Sequence, residues 1–337
     1  MNVFELTRAL VDIESVTNSE KRVGEFLFQH LSALAQKSAG RLYKIEVEPE
    51  RFNVLARWGD PVVTLSTHMD TVPPFFVSRE DDQTIWGRGA CDAKGIIAAM
   101  IAAAEKLLNA GTKNFALLFV VGEERNGIGA LAAAKQPIGS RYLINGEPTE
   151  NKIALGTKGA LRYEIIARGR AAHSAYPELG ESAIETLLDV LQDIRAIQLP
   201  HDELLGASTL NIGTISGGRA PNVIPDYAQA EVMIRLVGDA TPIRAALLEA
   251  VRNRAEAREI FSIGAQRLES FSGLTETVVS FSTDIPCFSG AWGKPFLIGP
   301  GSIHVAHTAD ELISKQDLSD AVEIYARMVM KLVSDNS

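Results

Sequence analysis

Two histidines and several acids occupy short segments that share one local grammar, in which a β-rich apolar run ends in a group able to bind metal or move a proton. His68 and Asp70 follow PVVTLST, Glu123 and Glu124 follow FALLFVV, and Glu147 follows YLIN. Asp92 lies in GRGACDAKG, whose glycines permit a tight turn before a helix, and His307 lies in GPGSIHVAHTADE. His68 and Asp70 are two apart and share one side of an extended segment, so only one of them need bind metal directly. The adjacent carboxylates of Glu123 and Glu124 repel each other unless a cation or proton intervenes. Imidazole and carboxylate together suit zinc; no thiolate set is present, and magnesium would not call for the histidines. Five ligands are too many for one tetrahedral ion, whereas one carboxylate shared by two ions roughly 3.5–4 Å apart resolves the count. The expectation is a pair of divalent ions, zinc by donor set, with cobalt or manganese able to substitute. Taken singly, an acid after a strand is an ordinary helix cap and a lone histidine ordinary structure; recurrence at successive strand ends carries the metal reading.

Such placement requires an open sheet covered by helices. The expected fold class is α/β, a central mixed sheet flanked by helices with an inserted α+β ferredoxin-like domain. The runs before His68, Gly122 and Gly146 are nearly continuous in apolar residues, as in strands buried on both faces. Thr17 and Glu20 have capping-box spacing ahead of an amphipathic helix with Phe26, Leu27, Leu31 and Leu34 on one face. Residues 93–110 read as an Ala-rich helix stopped by Gly111. From about residue 159 the pattern becomes β-α-β-β-α-β, with a helix through TPIRAALLEAVRNRAEA and a last strand near Ile260 to Leu268. Residues 1–158 and 270–337 are therefore assigned to a catalytic, metal-binding domain and 159–269 to an insert. A helix capped near Ser314 closes the first domain.

Forty-two acids against thirty-three bases give a net charge of -9, and no basic patch stands out, so nucleic acid is an improbable partner. No run is long enough to span a bilayer. The first residues lack the basic and apolar regions of a signal peptide, so the cytoplasm is the expected location. Cys91 and Cys287 are too few and too far apart for a disulfide framework or a zinc knuckle, and read as reduced packing residues. The glycines of GRGACDAKG do not follow dinucleotide-binding spacing, and acids dominate the strand ends, a poor setting for phosphate.

The segments STHMDTVPP, GRGACDAKG, GEERNGIGA, GEPT and AHTADE, in this order, resemble the dinuclear zinc peptidases and deacylases that include acetylornithine deacetylase, succinyl-diaminopimelate desuccinylase, aminoacylase and glutamate carboxypeptidase. The resemblance covers nearly the whole chain and implies a zinc-exopeptidase-like fold. It implies that Asp92 bridges two zinc ions, with His68 and Glu147 completing one site and Glu124 and His307 the other. His304, three residues before His307, is the alternative ligand. The resemblance further implies that Asp70 orients His68, that Glu123 is the general base, and that the Asp92–Ala93 peptide is cis. In GRAAHSAYPELGESA it implies that His173 donates to the oxyanion in a partner subunit's site, which requires a homodimer. Asn222 and Arg235 fall where relatives hold the substrate's carboxylate, to which a guanidinium offers a bidentate fork, and the GPGS turn that contains Gly301 is expected to offer backbone amides to the substrate. GEPT and GPGSI look most like acetylornithine deacetylase, so the expected substrate is a small N-acyl amino acid, with di- or carboxypeptidase action on a short peptide as the alternative. A non-catalytic zinc-binding protein on the same scaffold is the reading from a different class; Glu123 and Asp70 argue against it. The chain also departs from the family pattern, since the short stretch between the insert's last strand and FSTDIPCF shows no counterpart of the helix relatives usually carry there, so the sheet edge or pocket wall is expected to differ.

Overall fold

The computed structural model describes residues 1–336, which form two compact units. One comprises residues 1–155, 268–277 and the chain from 283 onward; the other comprises 156–267 with 278–282. The first is built on a six-stranded mixed sheet in the order Arg41–Glu48, Arg51–Trp58, Phe115–Val120, Val63–His68, Tyr142–Asn145, Lys294–Leu297. The last four strands run parallel and the first two are antiparallel to their neighbours. Apolar continuity has a direct cause in the strand at 115–120. Phe115, Leu117 and Phe119 enter one core with Leu27, Leu31 and Ile97, while Ala116, Leu118 and Val120 enter a second core with Leu143, Phe288 and Trp292. A strand buried on both faces has no polar side to show.

Helices Val3–Val11, Lys21–Ser38, Lys94–Asn109, Ile128–Ala134 and Lys315–Ser334 cover this sheet. Ser314 caps the last of them, accepting the N–H groups of Gln316 and Asp317. The expected capping box at Thr17 and Glu20 does not form. The helix starts at Lys21, and Glu20 makes no side-chain cap because its buried carboxylate takes a two-pronged bond from Arg51 (2.9 and 2.6 Å). Thr17 donates instead to Asp70 (2.8 Å). Two buried charges that need each other outweigh a local cap.

The second unit follows the order strand Gly159–Arg168, helix Ala183–Arg195, strands Thr209–Gly217 and Tyr227–Leu236, helix Ala240–Val251, strand Ala255–Ile263. Its antiparallel sheet is ordered 209–217, 227–236, 159–168, 255–263, the ferredoxin-like arrangement. Leu161, Tyr163, Ile165 and Ala167 pack on Leu187, Leu191, Ile194 and Leu247. The last strand begins earlier than its expected position near Ile260 to Leu268. The helix stops at Val251, Asn253 turns the chain at φ 57°, and the helix-favouring AEARE pairs as strand with 159–168. Tertiary pairing overrides helix propensity there.

Between Val251 and Lys315 no α-helix forms among the described residues; a short strand, Glu276–Val279, and a single 3-10 turn, Ile285–Phe288, occupy the stretch after the insert. No helix among the described residues is long and apolar enough to cross a membrane.

Candidate metal centre

The parallel strands deliver their C-terminal ends to one edge of the sheet, and the acids and imidazoles gather there. His68 closes its strand with its Nε2 2.9 Å from Asp92 Oδ1 and its Nδ1 3.0 Å from the Asp70 backbone carbonyl. Asp92 Oδ2 lies 3.2 Å from His307 Nε2, which is also 3.1 Å from Glu124 Oε1. Each oxygen of the Asp92 carboxylate thus faces a different imidazole. Ligand atoms of His68, Asp92 and Glu124 all fall within 4.8 Å of one another. Glu147, 5% exposed, leaves its Oε1 buried with no hydrogen-bond partner. His304 is exposed, and its ring bonds none of these carboxylates among the described residues. The Asp92–Ala93 peptide is cis.

Two further buried carboxylates organise the backbone around these groups. Asp70 accepts the Thr17 hydroxyl and the N–H groups of Glu123 (3.1 Å) and Glu124 (3.2 Å), with Oδ1 3.5 Å from His68 Nδ1. Glu311 does the same for the segment that carries Asp92, accepting the N–H groups of Gly89, Cys91 and Asp92. Glu311 stands inside AHTADE, where no local spacing assigns it a role. Asp284, which belongs to none of the quoted ligand motifs, is 3% exposed and without a side-chain hydrogen bond among the described residues. Asp284 packs on the loop after Glu124. Gly127, at φ 61°, leaves room where a Cβ would come within 3.1 Å of Asp284 Oδ1 and 2.6 Å of Cys287 Sγ. An acid inside FSTDIPCF, a few residues past the short strand Glu276–Val279, was the available signal.

The proton affinities follow from this packing. Burial pushes Glu123 and Glu147 well above the usual carboxylate range, and repulsion between acids adds to it. Burial likewise raises Glu124, and Asp284 to about 7. Asp92 goes the other way: burial opposes its charge, yet the hydrogen bonds from His307 and His68 carry it far below the usual range. Hydrogen bonds to Asp92 and Glu124 raise His307 to about 10. His68 is raised as well, the bonds to Asp70 and Asp92 overcoming burial.

Asp70, Asp92, Glu123, Glu124, Glu147 and Asp284 therefore share two imidazoles, a charge imbalance that divalent cations would relieve. The oxygen and imidazole donors, the orphaned Glu147 oxygen and the two-sided Asp92 carboxylate fit such ions. Burial keeps the Cys91 thiol protonated, and its Sγ lies 3.4 Å from the Ser302 carbonyl rather than joining the donors.

The remaining expected site residues lie elsewhere in the chain. Gly301, in the first unit, is buried at φ 81°, with a Cβ position only 2.6 Å from Cys91 Sγ, and its carbonyl accepts the Glu150 N–H. His173, Asn222 and Arg235 belong to the second unit. Ala172–His173 pairs with Val223–Ile224, and the Ser174 N–H bonds the Asn222 carbonyl, so His173 and Asn222 share one corner. The exposed His173 ring accepts the Ala175 N–H at Nδ1 (3.1 Å). Arg235 is half-buried, touches Ser282 Oγ at 3.4 Å, and has no carboxylate partner among the described residues.

Residues 64–331 match the family described as Peptidase family M20/M25/M40, and the chain belongs to that family. A peptidase M20 domain-containing protein of Schizosaccharomyces pombe is 39% identical over 98% of this chain and 84% of its own length. A probable carboxypeptidase of Talaromyces marneffei is 36% identical over 97% and 85%. Among solved structures, an M20 family metallo-carboxypeptidase from Sulfolobus solfataricus shares the fold, with TM-score 0.79, 15% identity and 98% of each chain covered. The chain is accordingly a metal-dependent hydrolase of the metallopeptidase kind.

Proposed function

We propose that the chain hydrolyses the amide bond next to an amino acid that carries a free carboxylate. The observation behind the chemistry is that the Asp92 carboxylate faces His68 with one oxygen and His307 with the other. Two divalent ions, zinc on this donor set, would be held by Asp92 between them, with His68 and Glu147 on one side and Glu124 and His307 on the other. Such ions supply Lewis-acid polarisation and bring water ionisation near neutral pH.

Glu123 is the residue left to move protons. Its carboxylate has no hydrogen-bond partner among the described residues, and its raised affinity suits it to take a proton from the attacking water and pass it to the leaving amine. Asp70 fixes the backbone of Glu123 through the N–H it accepts. Arg235, a half-buried guanidinium without a counter-charge, suits the substrate carboxylate, with Asn222 and the turn at Gly301 assisting. Because His173 Nδ1 accepts a hydrogen bond, the neutral ring carries its proton on Nε2 and presents a donor. That donor is assigned to the developing oxyanion in the site of a second copy, with residues 159–269 as the dimerisation and lid domain of a homodimer.

Small N-acyl amino acids are the substrates suggested by GEPT and GPGSI. Carboxypeptidase action on short peptides is the second reading, favoured by the probable carboxypeptidase name of the Talaromyces relative. Amine release from N-acetyl and N-succinyl amino acids, dipeptides and their C-terminally amidated counterparts separates the two. Cleavage confined to free-carboxylate substrates supports the proposal and names the class; equal cleavage of the amidated forms, or none at all, overturns it.

A further inference from the structure

The buried acids of the first unit divide by what their oxygens do. Glu123 and Asp284 accept no side-chain hydrogen bond among the described residues, and Glu147 Oε1 is orphaned. Glu311 is the opposite case. At 1% exposure, its Oε1 accepts the N–H groups of Gly89 (2.9 Å), Cys91 (3.1 Å) and Asp92 (3.1 Å), and its Oε2 pairs with Arg88 Nη1. Its backbone carbonyl takes the Gly87 N–H as well (3.0 Å). Arg88, also 1% exposed, donates from Nε to the Pro74 carbonyl (3.2 Å) and lies over the Phe76 ring. With its oxygens occupied by protein donors and its charge balanced by Arg88, Glu311 has little capacity left to bind a cation.

We propose that Glu311 is a positioning residue for Asp92. It gathers three N–H groups of the 89–92 turn onto one oxygen, among them the N–H of Asp92 itself, and so sets the Asp92 carboxylate between His68 and His307. It stands four residues after His307, so the same loop presents one imidazole and fixes the acid that faces it. Arg88 extends the tie to the segment that follows His68 and Asp70. The inference rests on the reading of Asp92 as the shared ligand.

The test uses full-length variants, with cobalt(II) as the probe, its absorption spectrum as the report on coordination, and chelator competition for affinity. Glu311→Gln keeps an acceptor oxygen but sets an NH2 group against the Arg88 guanidinium, so cobalt affinity should fall about 10–100-fold, as for other groups that orient ligands. Adding Arg88→Leu removes that donor–donor clash while the amide oxygen still accepts the turn, and should return affinity to near that of the original protein with the same spectrum. Arg88→Leu with Glu311→Leu has no buried charge left unpaired and no acceptor; it should stay weak and spectrally altered even where its metal-free melting temperature equals that of the Leu/Gln pair. Unchanged affinity and spectrum in the Leu/Leu pair, or in Glu311→Gln, would overturn the positioning role. Asp92→Asn is the control: if it still holds two ions, the reading of Asp92 fails instead.

Discussion

Asp92 and Glu123 are acids at the same sheet edge with opposite proton affinities, and the difference lies in what surrounds each carboxylate. Two imidazoles hydrogen-bonded to Asp92 hold it ionised despite burial, whereas at Glu123 burial and the repulsion of neighbouring acids outweigh the attraction of the His68 charge. Glu123→Gln should therefore cost about 10²–10⁴-fold in turnover, the range of a lost general base, while metal content by mass spectrometry stays unchanged. Retained activity would remove Glu123 from the mechanism. The imidazoles carry a second consequence. In metal-free protein His307 keeps its proton up to about 10, because Asp92 and Glu124 accept hydrogen bonds from the ring. Its folded-state pKa is raised, so this interaction stabilises fully below the unfolded value of about 6.5 and is lost as pH rises through about 10. A ligating imidazole must give up that proton, so metal affinity should climb between about pH 6 and about pH 9, with proton release visible in buffers of differing ionisation enthalpy. A flat profile would mean that His307 is not a ligand.

The elements that hold these residues were legible to different degrees. Strands 63–68, 115–120 and 142–145 announced themselves because both faces are buried, and the rule that open sheets work at their C-terminal strand ends directed attention to His68, Glu123 and Glu147. The start of the helix at Lys21 and the strand at 255–263 were not legible, because a buried Arg51 and a neighbouring strand decide them rather than local propensity. Glu311 and Asp284 were hidden for a related reason. Glu311 accepts N–H groups some 220 residues earlier in the chain, and no local pattern encodes that distance. Gly301 shows the same long-range dependence in reverse. Its positive φ and its closeness to Cys91 Sγ leave no place for a methyl group, so Gly301→Ala should destabilise the fold by at least about 1 kcal/mol in denaturant unfolding. An unshifted midpoint would show that this turn adapts.

Across the whole molecule, one unit carries the acid and imidazole cluster, and the other carries His173, Asn222 and Arg235. If His173 serves the site of a second copy, His173→Ala and Glu123→Gln proteins, each inactive alone, should regain partial activity when mixed and allowed to exchange subunits. No rescue, despite proven exchange, would confine His173 to its own chain. On the proposed function, hydrolysis depends on two ions shared across Asp92. Stripping the protein with a chelator and returning zinc stepwise, with bound metal and amine release followed together, tests it most directly. The stripped protein should be silent and turnover should become full as occupancy approaches two ions per chain; turnover that persists in metal-free protein would contradict this dependence.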